Sequence, residues 1–222
     1  MNNPKTLRIV VVEDENLLRE LLVHSLKNIP RMTVINSYPQ GSTAVRNFDR
    51  DQPDVVLLDI NLGKGWTGVE TGLRMRTLNP DVGVVLLSNY VRPELLISLP
   101  ESSVQGWSYL LKRSVRDVST LIRTIEGTVS GLMVLDPELV KMVQSRQSSH
   151  LSHLTPRQLQ ILSLVAQGYT NRAIANELFL SEKSVENHLT TIYSALHIDS
   201  TNPEYHARVK AVLLFLSNGQ PI

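Results

Sequence analysis

Along the first 130 positions, short unbroken apolar runs alternate with longer stretches in which apolar residues recur every three or four places. "RIVVV", "TVINSY", "DVVLLD", "GVVLLS" and "GWSYLL" are runs of the first kind. A run with no polar alternation offers no face to water, so it predicts a strand buried on both sides. "ENLLRELLVHSLKN" is of the second kind, with Leu17, Leu18, Leu21, Leu22 and Leu26 on one helical stripe. Residues 41–50, "GVETGLRMRTLN", "RPELLISL" and "RDVSTLIRTIEGTVS" follow the remaining strands in the same way. Five strands alternating with five helices predict an α/β fold, a doubly wound five-stranded parallel sheet, because parallel neighbours need crossover helices.

After Gly131 the strand pattern stops. "LDPELVKMV" predicts a helix capped by Asp136 with Pro137 at its first position, and the polar "QSRQSSHLSH" predicts a hinge. Further on, Thr155 is placed to cap a helix that has Pro156 at its first position and Gln158 completing a capping box. Gly168 ends that helix, Thr170 and Ser181 start the next two, and a final helix covers roughly Ala207 to Leu216. The expected organisation is an α/β domain over 1–130, a linker helix and hinge over 131–153, and an all-α four-helix domain over 154–222.

Composition narrows this picture only a little. The chain has 222 residues, enough for two modest domains, and its 42% hydrophobic content suffices for compact cores. A formal net charge of +1 argues against a polybasic coat, and the absence of cysteine excludes disulfides and thiolate zinc sites. The apolar stretch Ile9 to Val12 is too short for a signal peptide or a membrane span, so a soluble cytoplasmic protein is expected, with no membrane partner.

The chemistry sits at the strand ends. In a parallel sheet all carboxyl ends share one edge, where ligands bind. Glu13 and Asp14 end the first strand, Asp59 the third and Ser88 the fourth, and Lys112 follows the fifth. Three carboxylates in one cleft repel each other unless a cation joins them, and a hard oxygen set with room for water suits Mg²⁺. Lys112 and the Ser88 hydroxyl serve no cation; they make sense if a phosphoryl group visits. Asp59 is then a candidate nucleophile that forms an acyl phosphate.

In the second half, Val185, Leu189, Ile192 and Leu196 form one stripe of the helix after Ser181, and Lys183, Asn187, Thr190 and Ser194 lie near the opposite pole. Together with the helix from Thr170 to Leu178 this predicts a helix-turn-helix whose second helix enters a major groove of double-stranded DNA. Asn187 is suited to adenine and Thr190 to a base or a thymine methyl, while Lys183 and the free amides of the helix start suit phosphate. Ser184 and Thr170 complete the residues expected at DNA, and His188, about 60° from the buried stripe, is expected to be partly buried.

These residues carry a resemblance. On "VVEDE", "VVLLDIN", "VVLLS" and "YLLK", the first 130 residues resemble the flavodoxin-like receiver domain of two-component response regulators. "LTPRQLQILSLVAQGYTNRAIANELFLSEKSVENHLTTIYSALHI" resembles the LuxR-type helix-turn-helix of the NarL/FixJ regulators. The first resemblance implies that Asp59 accepts phosphoryl from a sensor histidine kinase. It also implies that Asp14, Asp59 and the backbone carbonyl of Asn61 hold Mg²⁺, with Glu13 supporting through water. Ser88 and Lys112 would contact the phosphoryl group, and Tyr109 matches an aromatic whose rotamer follows phosphorylation. The second resemblance implies a homodimer on paired half-sites.

The segment "DINLGKGWTG" departs from the pattern in lacking a proline and being one residue longer before Gly68. Asn89 and Tyr90 stand where small residues are common, Arg113 where a proline is usual, and Glu186 where a basic residue is frequent. The expected function is a DNA-binding response regulator in which phosphorylation controls dimerisation and transcription. It is not an enzyme beyond its own phosphorylation and dephosphorylation. The alternatives are a receiver used as a phosphorylation-independent dimerisation module, and a Mg²⁺-dependent aspartyl phosphatase. Asp59 on the third strand, with Asn61 in place of a second acid, stands against the phosphatase.

Overall fold

The computed structural model describes residues 5–63, 65–92, 94–97, 99, 104–145, 151, 153–203 and 205–217. It divides into two compact units, one of residues 1–90 with 106–131 and one of 91–105 with 132–222.

The apolar runs become strands β1 (Leu7–Val12), β2 (Met32–Tyr38), β3 (Val55–Asp59), β4 (Gly83–Ser88) and β5 (Trp107–Leu111). They form one parallel sheet in the order β2-β1-β3-β4-β5. Every residue of β3, β4 and β5 is buried, as an unalternating run requires, whereas β2, on the edge, is partly exposed. The strand order reverses between β1 and β3, which opens a crevice at their carboxyl ends. Register fills that crevice: Val12 pairs with Leu58, Asp59 with Leu87 and Ser88 with Leu111. Glu13, Asp59, Ser88 and Lys112 therefore arrive at one edge together.

The connecting helices are α1 (Asn16–Leu26), α2 (Gly41–Arg46), α3 (Phe48–Asp51), α4 (Gly68–Leu78), the short α5 (Glu94–Ile97) and α6 (Val118–Val129). A 3₁₀ turn at Lys112–Arg116 precedes α6. Two expectations need correction. Residues 41–50 are not one helix: the chain breaks at Asn47, whose amide side chain donates to the Thr43 carbonyl at 2.8 Å and competes with the helical ladder. On α1 the buried residues are Leu22 and Leu26, with Leu18 partly buried, while Leu17 is 82% exposed and Leu21 44%. Five leucines span a wider arc than the sheet covers, and the pattern alone does not say which edge of the arc meets it. In "RPELLISL", Pro93 and Ser98 lie outside the described residues.

The second unit holds α7 (Pro137–Ser145), α8 (Pro156–Ala166), α9 (Asn171–Leu178), α10 (Glu182–Ala195) and α11 (Ala207–Leu216). Its caps follow the sequence reading. Asp136 accepts from the Glu138 amide at 2.8 Å, and Thr155 and Gln158 close a reciprocal capping box. Thr170 accepts from the Ala173 amide and Ser181 from the Ser184 amide. Ile161, Val165, Ile174, Val185, Ile192, Val212 and Phe215 are fully or almost fully buried. The Leu135 amide donates to the Ala166 carbonyl at 2.7 Å, so the chain just before α7 is tied to the end of α8. Of the expected hinge, residues 146–150 and 152 lie outside the described residues. Among the described residues no helix is long and apolar enough to cross a membrane.

Gly68, at the start of α4, brings that helix against the tip of β3: a Cβ there would lie 2.2 Å from the Asp59 carbonyl oxygen. Backbone cannot yield as a flexible side chain can. Gly68→Ala is expected to cost about 2–3 kcal/mol by overpacking, whereas Val69→Ala, half-buried on the same helix, should cost less. Denaturant unfolding of both variants checks this.

Candidate functional site

Asp59 is buried at the carboxyl end of β3, and its Oδ2 lies 3.0 Å from Lys112 Nζ. The same ammonium lies 3.0 Å from Glu13 Oε1 and Oε2 and 3.7 Å from Glu15 Oε1. The Asn61 amide donates to Asp59 Oδ1 at 3.1 Å, and the Glu15 amide donates to Glu13 Oε1 at 3.2 Å. Asp14 is exposed, yet its carboxylate joins those of Glu13 and Asp59 with ligand oxygens all within 4.8 Å of one another. Of the predicted side chains, Glu13, Asp14, Asp59 and Lys112 converge from positions about a hundred residues apart.

The charges do not balance. At 4.8 Å, two buried carboxylates such as Glu13 and Asp59 repel by about 3.5 kcal/mol at an effective dielectric of about 20. Lys112 offsets part of this, but its one ammonium pairs with Glu13 and Asp59 and lies near Glu15, while Asp14 adds a further carboxylate. Burial pushes the Glu13 carboxyl up to about 7, with Asp59 adding to the rise and Lys112 opposing it. Burial likewise raises Asp59 against the pull of Lys112 and of the Asn61 amide. Burial alone would lower Lys112, but its bonds to Asp59 and Glu13 outweigh that and raise it. Buried Asp51 is a contrast: it accepts from Asn36 Nδ2 at 2.8 Å, from the Tyr38 hydroxyl and from Arg50 Nε at 3.1 Å, so its charge is matched locally. Glu13 Oε2, by comparison, is buried without a hydrogen bond despite its ion-pair distance to Lys112. An all-oxygen donor set with surplus negative charge and one oxygen lacking a hydrogen bond fits a hard divalent cation such as Mg²⁺.

Ser88 and Tyr109 meet at a group that the sequence did not point to, the carbonyl of Tyr90. The Ser88 hydroxyl donates to it at 2.7 Å and accepts from the Tyr90 amide at 3.2 Å, and the Tyr109 hydroxyl donates to the same oxygen. Tyr109 is fully buried, while the Tyr90 side chain points into solvent. Register allows this because Tyr109 pairs with Leu86, two positions before Ser88 and so on the same face of the sheet. A backbone acceptor leaves no mark in a sequence. Trp66, stacked under the Arg74 guanidinium at 4.0 Å, was equally silent. No cis peptide bond occurs among the described residues, so Lys112 and Arg113 are joined in trans.

On α10, Val185, Leu189 and Ile192 are buried, while Lys183, Asn187, Thr190 and Ser194 are exposed as predicted, and His188 is half-buried. Ser184 is half-buried and its amide is spent on the Ser181 cap, leaving the amides before it for a ligand. Thr170 is exposed but its hydroxyl accepts from the Ala173 amide, and the Thr190 hydroxyl donates to the Glu186 carbonyl at 3.0 Å. Arg208 holds the start of α9 through Asn171 Oδ1 at 3.1 Å and the Tyr169 carbonyl.

Comparison with known proteins agrees with both halves. Residues 9–120 match the family model of the response regulator receiver domain, and residues 152–205 match that of the bacterial regulatory proteins of the luxR family. The chain is 30% identical to the oxygen regulatory protein NreC of Staphylococcus epidermidis, over 87% of this chain and 93% of that one. It is 28% identical to the transcriptional regulatory protein YdfI of Bacillus subtilis, over 96% of each. A structure of two RcsB dimers bound to two parallel DNAs superposes with a TM-score of 0.54 at 16% identity, covering 96% of this chain and 98% of that one, a likeness of fold alone.

A cation held by this cluster would be coupled to pH through Glu13. Its folded value near 7 exceeds the ordinary 4.5, so without a cation its contribution to stability is complete below about 4.5 and is lost as pH rises through about 7. A cation needs the ionised carboxylate and binds the folded state, so it acts most where that loss is complete. The rise in melting temperature on adding Mg²⁺ to chelator-treated protein is expected to be larger at pH 8 than at pH 6. Equal rises at both would refute the coupling.

Proposed function

The chain belongs to the bacterial response regulators that join a receiver domain to a LuxR-type helix-turn-helix, DNA-binding regulators of transcription rather than turnover enzymes, and we propose that phosphorylation of Asp59 by a sensor histidine kinase controls its pairing on DNA. The observation that carries this reading is the contact of Lys112 Nζ with both Asp59 and Glu13 at 3.0 Å, beside Asp14. Residues 1–130 act as the receiver, 131–153 as the connecting segment and 154–222 as the DNA-binding domain.

In the transfer, an Asp59 carboxylate oxygen attacks the phosphorus of the kinase phosphohistidine. A P–O bond forms as the P–N bond breaks, and the departing imidazole keeps the electron pair. Asp14, Asp59 and the Asn61 carbonyl would hold Mg²⁺, with Glu13 through water, and the cation would neutralise phosphoryl oxygens. Lys112 is already within reach of Asp59 and can follow a phosphoryl oxygen once Asp59 carries the acyl phosphate. Ser88 must release the Tyr90 carbonyl to donate to the phosphoryl group. That leaves the acceptor to Tyr109 and biases the loop after β4 toward one of two arrangements.

The output is binding to double-stranded DNA as a homodimer on paired half-sites. In this reading α10 enters the major groove with Asn187, Thr190 and Ser194 toward base edges, while Lys183, Ser184 and Thr170 sit nearer the backbone.

Incubation with labelled acetyl phosphate and Mg²⁺ is expected to give an acid-stable, hydroxylamine-sensitive label on the wild type and none on Asp59→Asn. Footprinting with and without the donor should show protection that depends on Asp59. Tyr109→Phe should still take the label but lose about five- to tenfold of the donor-dependent gain in DNA affinity, the worth of about one hydrogen bond. A label that persists on Asp59→Asn would remove the assignment.

A further inference from the structure

Glu186 is an acid on the helix face that this family turns toward a polyanion. Glu182, in the first turn of α10, has a reason to be acidic, since it sits by the free amides of the helix start. Glu186 lies a turn further on, where that field has faded. Its carboxylate Oε2 is 3.1 Å from Lys183 Nζ, and the two side chains are 51% and 78% exposed. An exposed pair three residues apart adds little stability, so folding does not explain it. With Val185 at zero, Glu186 falls at about 100°, Thr190 at about 140° and Lys183 at about 160°, which puts all three on one flank of the exposed face.

Facing phosphates, Glu186 would only repel. In the major groove, the sole partners for a carboxylate are the amino groups of cytosine and adenine. In a G·C pair the guanine O6 acceptor and the cytosine N4 donor are hydrogen-bonded neighbours about 2.9 Å apart. The ammonium and carboxylate of Lys183 and Glu186 present the complementary donor and acceptor at nearly the same spacing. An A·T pair suits them less: the carboxylate at adenine N6 would face the N7 lone pair, and the thymine methyl would crowd the ammonium at O4. We propose that Lys183 and Glu186 read one G·C pair of each half-site as a unit, with Lys183 donating to guanine O6 and N7 and Glu186 accepting from cytosine N4. This rests on the placement of α10 in the major groove, and it moves Lys183 from the backbone to a base.

Selection from a randomised duplex pool tests it, using the full chain with Mg²⁺ and acetyl phosphate. Wild type should enrich a half-site with one invariant G·C pair. Glu186→Gln should lose about tenfold of that preference and admit adenine where cytosine stood, because a glutamine amide suits adenine N6 and N7. Lys183→Met should relax the same position and no other. Both side chains are exposed, so unchanged melting temperatures are expected and would certify folding. An enriched motif that Glu186→Gln leaves intact, or a uniform gain on all duplexes with no base relaxed, would overturn the proposal while leaving DNA binding in place. A wild type that enriches nothing would overturn both.

Discussion

One lysine among carboxylates organises the first unit. Lys112 reaches Asp59 and Glu13 at 3.0 Å from the residue just after β5, so the last strand is held to β1 and β3 across the edge where the strand order reverses. Breaking such an arrangement by deleting the cation would leave buried carboxylates facing each other, the costly half of a buried ion pair. The arrangement as it stands is still unbalanced. Surplus acid and a raised Glu13 suit a divalent cation, and the pairing of Asp59 with an ammonium is the feature on which the proposed phosphoryl acceptance rests.

The end of β4, at the same sheet edge as Asp59, is organised through backbone as much as through side chains. The Ser88 and Tyr109 hydroxyls share the Tyr90 carbonyl, so a change in what one of them binds alters what the other can hold. This is a compact group, with one acceptor and two donors on adjacent strands. Tyr90, large and solvent-facing, stands where the family commonly has a small residue, and it joins this group through its backbone.

In the second unit, local chemistry and packing point the same way. Thr155, Thr170 and Ser181 each satisfy amides at a helix start, and the buried stripe of α10 faces inward with polar residues outward. Such agreement between cap, periodicity and core is what makes a short helical domain specify one fold. It also frees the outer face of α10 to vary, and Glu186 is a variation that packing did not demand.

By itself, the sequence determined the strands, the parallel sheet, the helix caps and the set of acids, hydroxyl and ammonium that would meet. Unalternating apolar runs and capping residues act over a few positions, and a parallel topology brings all carboxyl ends to one edge. Tertiary structure alone decided which leucines of α1 are covered, since Leu17 and Leu21 lie on the same arc as Leu22 but face away from the sheet. It also decided that Asn47 interrupts the helix expected over 41–50, that Gly68 must pass within contact of the Asp59 carbonyl, and that the Tyr90 carbonyl joins Ser88 to Tyr109. Each depends on a backbone atom or on the reach of a neighbouring layer, and every residue carries the same backbone, so its position is set by packing and not by the letter at that place.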